Sequence, residues 1–95
     1  MNTQTIESNT RLERHPDLVS TQVEGEEIIL SIENGQYYGL NDVATRIWEL
    51  LKTPLAFEEL LTQLQSEYDV TPDQCQSDTL TLLNKLQDES LITCA

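Results

Sequence analysis

Few side chains in this chain could carry a reaction. The single histidine, His15, stands beside Pro16 near the N-terminus. Neither thiol, Cys75 or Cys94, has a histidine near it in sequence. A nucleophile needs a positioned base, and a metal site needs converging ligands. There is no CxxC pair and no HExxH run, so Cys75 reads as a small core residue. Glu24, Glu26 and Glu27 flank a turn and read as hydrated surface. Glu58 and Glu59 fall in the first turn of a helix, where the positive end of its dipole favours them. No glycine-rich loop precedes a helix, and three glycines in all cannot build a phosphate cradle. The expectation is no enzyme, no catalytic residue, no metal and no cofactor.

One stretch could do chemistry of another kind, namely recognition. The run from Glu27 to Leu51 holds an alternating apolar segment, Ile28, Leu30 and Ile32, then Asn34-Gly35, then Gln36-Tyr37-Tyr38-Gly39-Leu40. Asn-Gly between two β-prone runs signals a type I′ hairpin, whose two central residues need positive φ. A two-residue hairpin sets Glu33 opposite Gln36, Ile32 opposite Tyr37 and Ser31 opposite Tyr38. Tyr37 then joins the Ile28, Leu30, Ile32 face and Tyr38 the Ile29 face. Either the tyrosines frame the core, or the strand and its neighbours form a docking site. A strand left at a sheet edge exposes unpaired N–H and C=O groups, a template for another strand. Strand addition draws affinity from main-chain bonds and specificity from side-chain pockets.

The elements that position this stretch follow from the rest of the chain. Its 95 residues suffice for one small core. Residues 1–14 are polar, with Ile6 and Leu12 isolated, and read as a flexible arm; residues 15–95 read as the domain. Alternation over Asp17–Glu24 predicts a first strand, Gly25-Glu26 a turn, Glu27–Glu33 a second strand and Gln36–Leu40 a third. Asn41 can cap a helix whose inner face is Val43, Ala44, Ile47, Trp48, Leu50 and Leu51, with Trp48 read as core. Pro54 stops it. A second helix runs from about Phe57 to Tyr68, with Leu60, Leu61 and Leu64 inward. Thr71-Pro72-Asp73-Gln74 opens a third with an N-cap, a proline at the first position and a capping-box glutamine. Cys75, Thr79, Leu82, Leu83 and Leu86 form its inner face, it ends near Ser90, and Leu91-Ile92 packs back on the core. Three strands followed by three helices make an α+β fold, an antiparallel meander covered on one face. The last two helices suit the helix-turn-helix half of a winged-helix-like domain.

Charge narrows the partners. With 17 acidic and 5 basic residues the net charge is −12. Nucleic-acid affinity rests largely on Lys and Arg against phosphate, so no nucleic acid and no anionic membrane surface is expected. No run of 18 apolar residues exists, and the N-terminal stretch has no apolar signal segment. The cysteines are therefore expected as reduced thiols in a cytoplasmic protein.

The run LSIENGQYYGLNDVATRIWELL resembles the PqqD-like family. That family's pattern is a hydrophobic strand, a turn with Gly, a short aromatic strand, Leu-Asn, and a helix with Ile-Trp-x-Leu-Leu. The run FEELLTQLQSEYDVTPDQCQSDTLTLLNKLQDESLI is similar to its second and third helices, so the likeness covers residues 15–92. Two positions depart from the pattern. Ala56 stands before the second helix where Thr or Ser is more usual, and Glu89-Ser90 stands where a Gly is common.

The resemblance implies a RiPP recognition element, a small winged-helix-like domain that binds the leader of a ribosomally made precursor peptide. The leader adds as a strand beside the third strand and lies against the third helix. Gln36, Tyr37, Tyr38, Gly39 and Leu40 would then supply the edge. At about 100° per residue, Asp78, Leu82 and Lys85 share one flank of the third helix. Leu82 would give an apolar floor, and Asp78 and Lys85 either contact leader charges or form an ordinary solvated flank. The implied function is a stand-alone adaptor that hands the precursor to a separate leader peptidase of a lasso peptide pathway, or to another modifying enzyme. The alternative within the family is the precursor chaperone of pyrroloquinoline quinone biosynthesis. A winged-helix regulator would need a basic recognition helix, and the third helix offers only Lys85 against Asp73, Asp78, Asp88 and Glu89. A subunit that self-associates through the same edge is a further class.

Overall fold

The computed structural model describes residues 5–16, 18–32 and 35–95. In chain order its elements are β1 (Arg11–Arg14), β2 (Leu18–Val23), β3 (Glu26–Ser31), β4 (Tyr37–Gly39), α1 (Asp42–Leu50), β5 (Leu55–Ala56), α2 (Phe57–Glu67), α3 (Pro72–Asp88) and β6 (Ile92–Cys94). β2, β3 and β4 form the expected antiparallel meander, and the three expected helices follow. A second small sheet, in the order β5-β1-β6, was not legible in the sequence.

Helices cover the meander on the face that carries Glu27, Ile29 and Ser31, all buried. The opposite face carries Ile28 and Leu30, only half-buried. The more regular apolar alternation therefore lies on the uncovered side. The reading of Glu27 as hydrated surface is corrected. β3 starts at Glu26, so Glu27 points inward, where its Oε1 accepts from Gln22 Nε2 at 3.4 Å.

The register of β3 and β4 also differs from the expectation. Leu30, Ile29 and Ile28 stand opposite Tyr37, Tyr38 and Gly39, two residues from the pairing of a two-residue hairpin. Ser31 N–H donates to Gln36 O at 2.9 Å, in the same register. Glu33 and Asn34, half of the expected type I′ turn, lie outside the described residues. A slip of two keeps every side chain on its face, so Tyr38 still shares the Ile29 face. A tight turn occurs one hairpin earlier. Glu24 and Gly25 both have positive φ, 54° and 86°, between the paired Val23 and Glu26, as a type I′ turn demands.

α1 starts where Asn41 Oδ1 accepts from Ala44 N–H at 2.9 Å. Its buried residues are Ala44, Thr45, Ile47 and Trp48, with Leu51 beyond its last turn. Val43, expected inside, is 46% exposed, and Thr45 takes the inner position. The Thr45 hydroxyl donates to Leu40 O and accepts from Glu27 N–H, both at 3.1 Å. Leu40 N–H donates to Glu27 O at 2.9 Å. The register is thus anchored at the helix end of the hairpin.

The expected N-terminal arm is corrected from residue 6 onward. Ile6 is buried, and Leu12 is fully buried in β1, which pairs with β5 and β6. Arg14 lies over the Trp48 ring, 4.5 Å from its centroid, and donates from Nε to Trp48 O at 3.0 Å. It thereby covers the core tryptophan and satisfies a carbonyl near the C-terminal end of α1. Ala56, as expected, supplies no side-chain cap to α2. The N-terminal segment does so instead, because Phe57 N–H donates to Thr10 O and Glu58 N–H to Ser8 O. The Glu59 carboxylate also accepts from Ala56 N–H at 2.9 Å.

Helices α1 and α2 are joined outside by a two-pronged ion pair, Arg46 Nε and Nη2 on the two Glu67 oxygens, each at 2.7 Å. Hydrogen bonds from Arg46 and then Gln63 hold the Glu67 carboxyl down to about 2. Both cysteines are free thiols: Cys75 is buried on α3, and burial pushes the Cys94 thiol up. Among the described residues, no helix is long and apolar enough to cross a membrane.

If β1 belongs to the core, Leu12→Ala should cost about 2–5 kcal/mol, the range for a buried Leu truncation. Urea unfolding checks this, and a loss under about 0.5 kcal/mol, as for an exposed position, would restore the arm reading.

Candidate functional site

β4 is an edge strand, bonded to β3 on one side with no described strand on the other. In an antiparallel ladder, residues alternate between turning their N–H and C=O toward the partner and away from it. The bonds Ser31 N–H to Gln36 O and Leu40 N–H to Glu27 O fix the phase. Gln36, Tyr38 and Leu40 therefore face β3. Tyr37 and Gly39 turn their backbone groups to the open side, and both residues are exposed. Two donors and two acceptors are presented along this edge.

The open side borders α3. Tyr37, Tyr38, Gly39, Leu40, Asn41 and Ala44 form one wall of a cleft of ≈ 360 Å³, with Leu82, Lys85, Leu86, Glu89 and Leu91 opposite. Leu40, Leu86 and Leu91 are buried and give an apolar floor, while Leu82 is half-buried. Lys85 is exposed and Glu89 half-buried, one turn apart on the rim. No described residue pairs with the Lys85 ammonium.

Seven of the eight residues singled out in the sequence divide by this geometry. Tyr37, Tyr38, Gly39 and Leu40 meet Leu82 and Lys85 across the cleft. Asp78 lines a second cleft of ≈ 300 Å³ between α1 and α3, which touches Val43 and Ile47 and shares Asn41, Ala44 and Leu82 with the first. Its Oδ1 accepts from Gln74 Nε2 at 2.8 Å. The eighth, Gln36, lies outside the cleft lining, and its Oε1 accepts from the Tyr38 hydroxyl at 2.9 Å. Periodicity placed Asp78 and Lys85 on one flank of α3, and the structure sets Lys85 in the first cleft and Asp78 in the second.

Asn41, Ala44, Leu86, Glu89 and Leu91 were not singled out as site residues. For Leu91 a signal existed. Glu89-Ser90 ends α3 in a Schellman arrangement: Ser90 has φ 61°, Ser90 N–H donates to Gln87 O at 3.0 Å, and Leu91 N–H to Leu86 O at 2.8 Å. That turn brings Leu91 under Leu86 and closes the far end of the cleft. Serine there holds a left-handed conformation that glycine adopts without penalty.

A family model, Coenzyme PQQ synthesis protein D (PqqD), matches residues 26–92. A comparison with curated proteins gives no match. Among solved structures, the chain is similar to that described as TbiB1 in complex with the TbiA(beta) leader peptide. The TM-score is 0.79 at 29% identity, over 84% of this chain and 93% of that one. It is also similar to a lasso peptide synthetase B1 complexed with the leader peptide, with TM-score 0.74 and 24% identity, over 86% and 96% of the two chains. The second likeness carries the fold alone.

Ser90→Gly should stabilise the protein by about 1 kcal/mol through relief of the left-handed conformation. Thermal unfolding reads this, and a destabilised variant would contradict the assigned end of α3.

Proposed function

The chain belongs to the PqqD family, and on that premise we propose that it is a non-catalytic adaptor for a ribosomally synthesised precursor peptide. The precursor's leader adds as a strand along β4, and the adaptor presents it to a separate maturation enzyme. The leader peptidase of a lasso peptide pathway is the favoured recipient. The observation that carries this reading is the open edge of β4 facing an apolar cleft on α3. Tyr37 and Gly39 supply main-chain bonds, and Leu40, Leu82, Leu86 and Leu91 receive the side chains on the inner side of the added strand. Lys85 and Glu89 offer both charge signs to the leader at the rim.

Likeness to TbiB1, whose solved structure holds a leader peptide, supports the lasso assignment. The matched family model supports a second reading, a precursor chaperone in pyrroloquinoline quinone biosynthesis. Both use the same edge, and the genes beside this one separate them: a transglutaminase-like protease with an asparagine-synthetase-like cyclase, or a radical enzyme. A regulator reading has little support, because Lys85 is the sole cation on α3 against Asp73, Asp78 and Asp88. The absence of a described membrane-crossing helix accords with a cytoplasmic adaptor.

The test is a titration with a fluorescein-labelled leader from the adjacent precursor gene, read by anisotropy. Saturable binding is expected. Leu82→Ala should weaken it by about tenfold, as loss of one apolar contact worth 1–2 kcal/mol implies, with the far-ultraviolet spectrum unchanged. Absence of saturable binding to any adjacent leader would contradict the reading.

A further inference from the structure

The face of the meander away from the helices carries an apolar row. Val19 stands opposite Leu30, and Leu30 opposite Tyr37, so three side chains line up across three strands. Val19 is 52% exposed and Tyr37 72%. The next row is Thr21, Ile28 and Gly39. Gly39 has no side chain to shield Ile28, since a Cβ there would lie 3.7 Å from Ile28 Cδ1. At the turn end Val23, 54% exposed, stands opposite Glu26, with Glu24 beside it.

We propose that this outer face docks the maturation enzyme, and that it registers whether the leader is in place. The proposal rests on strand addition at β4. Side chains of an added strand alternate between the two faces of the sheet. Those not directed into the α3 cleft emerge beside Tyr37 and extend the Val19–Leu30–Tyr37 row by one strand. An enzyme seated on the row therefore buries adaptor and substrate together. It binds the loaded adaptor more tightly than the empty one, and linkage requires that it tighten leader binding by the same factor.

Charge decides between an enzyme and a second copy of this chain. Two copies meeting by this face would bring Glu24 and Glu26 together, each on a molecule of net charge −12. Like charges brought together in this way oppose association. The fitting partner has an apolar patch flanked by Lys or Arg.

The experiment measures affinity between the adaptor and the leader peptidase encoded beside the precursor gene, with and without the labelled leader. Wild-type affinity should rise by about tenfold with leader bound, a coupling of ordinary size. Val19→Thr/Val23→Thr keeps β-branched residues at exposed positions on β2, two strands from β4. It should lose about tenfold in peptidase affinity, as when apolar anchors are removed from an interface, and keep its leader affinity. Glu26→Lys should also weaken peptidase binding, by repulsion. Unchanged peptidase affinity in both variants, with normal leader binding, would overturn the docking face while the adaptor reading stands. A wild-type dimer that the double variant dissolves would assign the face to a second copy and overturn the proposal. No leader binding by the wild-type protein would remove both readings.

Discussion

A strand has two hydrogen-bonding edges, and β4 uses only one. Its pairing with β3 is held from the α1 end, where Thr45 bonds both Leu40 and Glu27. This anchoring fixes the phase of the ladder, and the phase decides that Tyr37 and Gly39, and not Tyr38, offer backbone to the outside. The offered groups cost little while they wait, because water satisfies them and burial alone makes an orphan amide expensive. An open edge is also a hazard for pairing between copies. The edge here is three residues long, and the chain around it carries a net charge of −12.

The cleft beside that edge needs α3 at a fixed distance, and the second sheet helps to supply it. β6 follows α3 directly and pairs with β1, which pairs in turn with β5 just before α2. The N-terminal segment thus ties the ends of α2 and α3 together. It supplies cap carbonyls to the α2 helix, whose own cap position is alanine, and lays Arg14 over Trp48. A polar stretch that looks dispensable therefore holds the wall of the site, through main-chain bonds and two buried apolar side chains, Ile6 and Leu12.

What the sequence revealed and what it hid have different physical causes. The meander and the three helices carry their own local signals, periodicity and caps, and Thr71 and Asn41 cap as their residue types suggest. The second sheet has no such signal. Its strands are two to four residues long, and their pairing, such as Leu12 with Leu55 and Cys94, is distant in sequence. The hairpin register was misread because Asn34-Gly35 suggested a two-residue loop, yet the faces came out right because the slip was even. Which sheet face is covered could not be read from hydrophobicity, since Ile28 and Leu30 lie on the open side. At the site, four edge residues line one cleft with Leu82 and Lys85, which helical spacing had set on one flank of the third helix. Asp78 falls beside another cleft, because helical spacing gives an angle and not a distance from β4.

Amide exchange of the labelled protein, followed by NMR with and without saturating leader, tests strand addition at β4 most directly. Leu40 N–H is already bonded to Glu27 O and serves as the internal control. The account predicts that the Tyr37 and Gly39 amides exchange freely in the unbound protein and become protected with leader bound, while Leu40 changes little. Saturation by the leader with Tyr37 and Gly39 still exchanging at their free rates would contradict it.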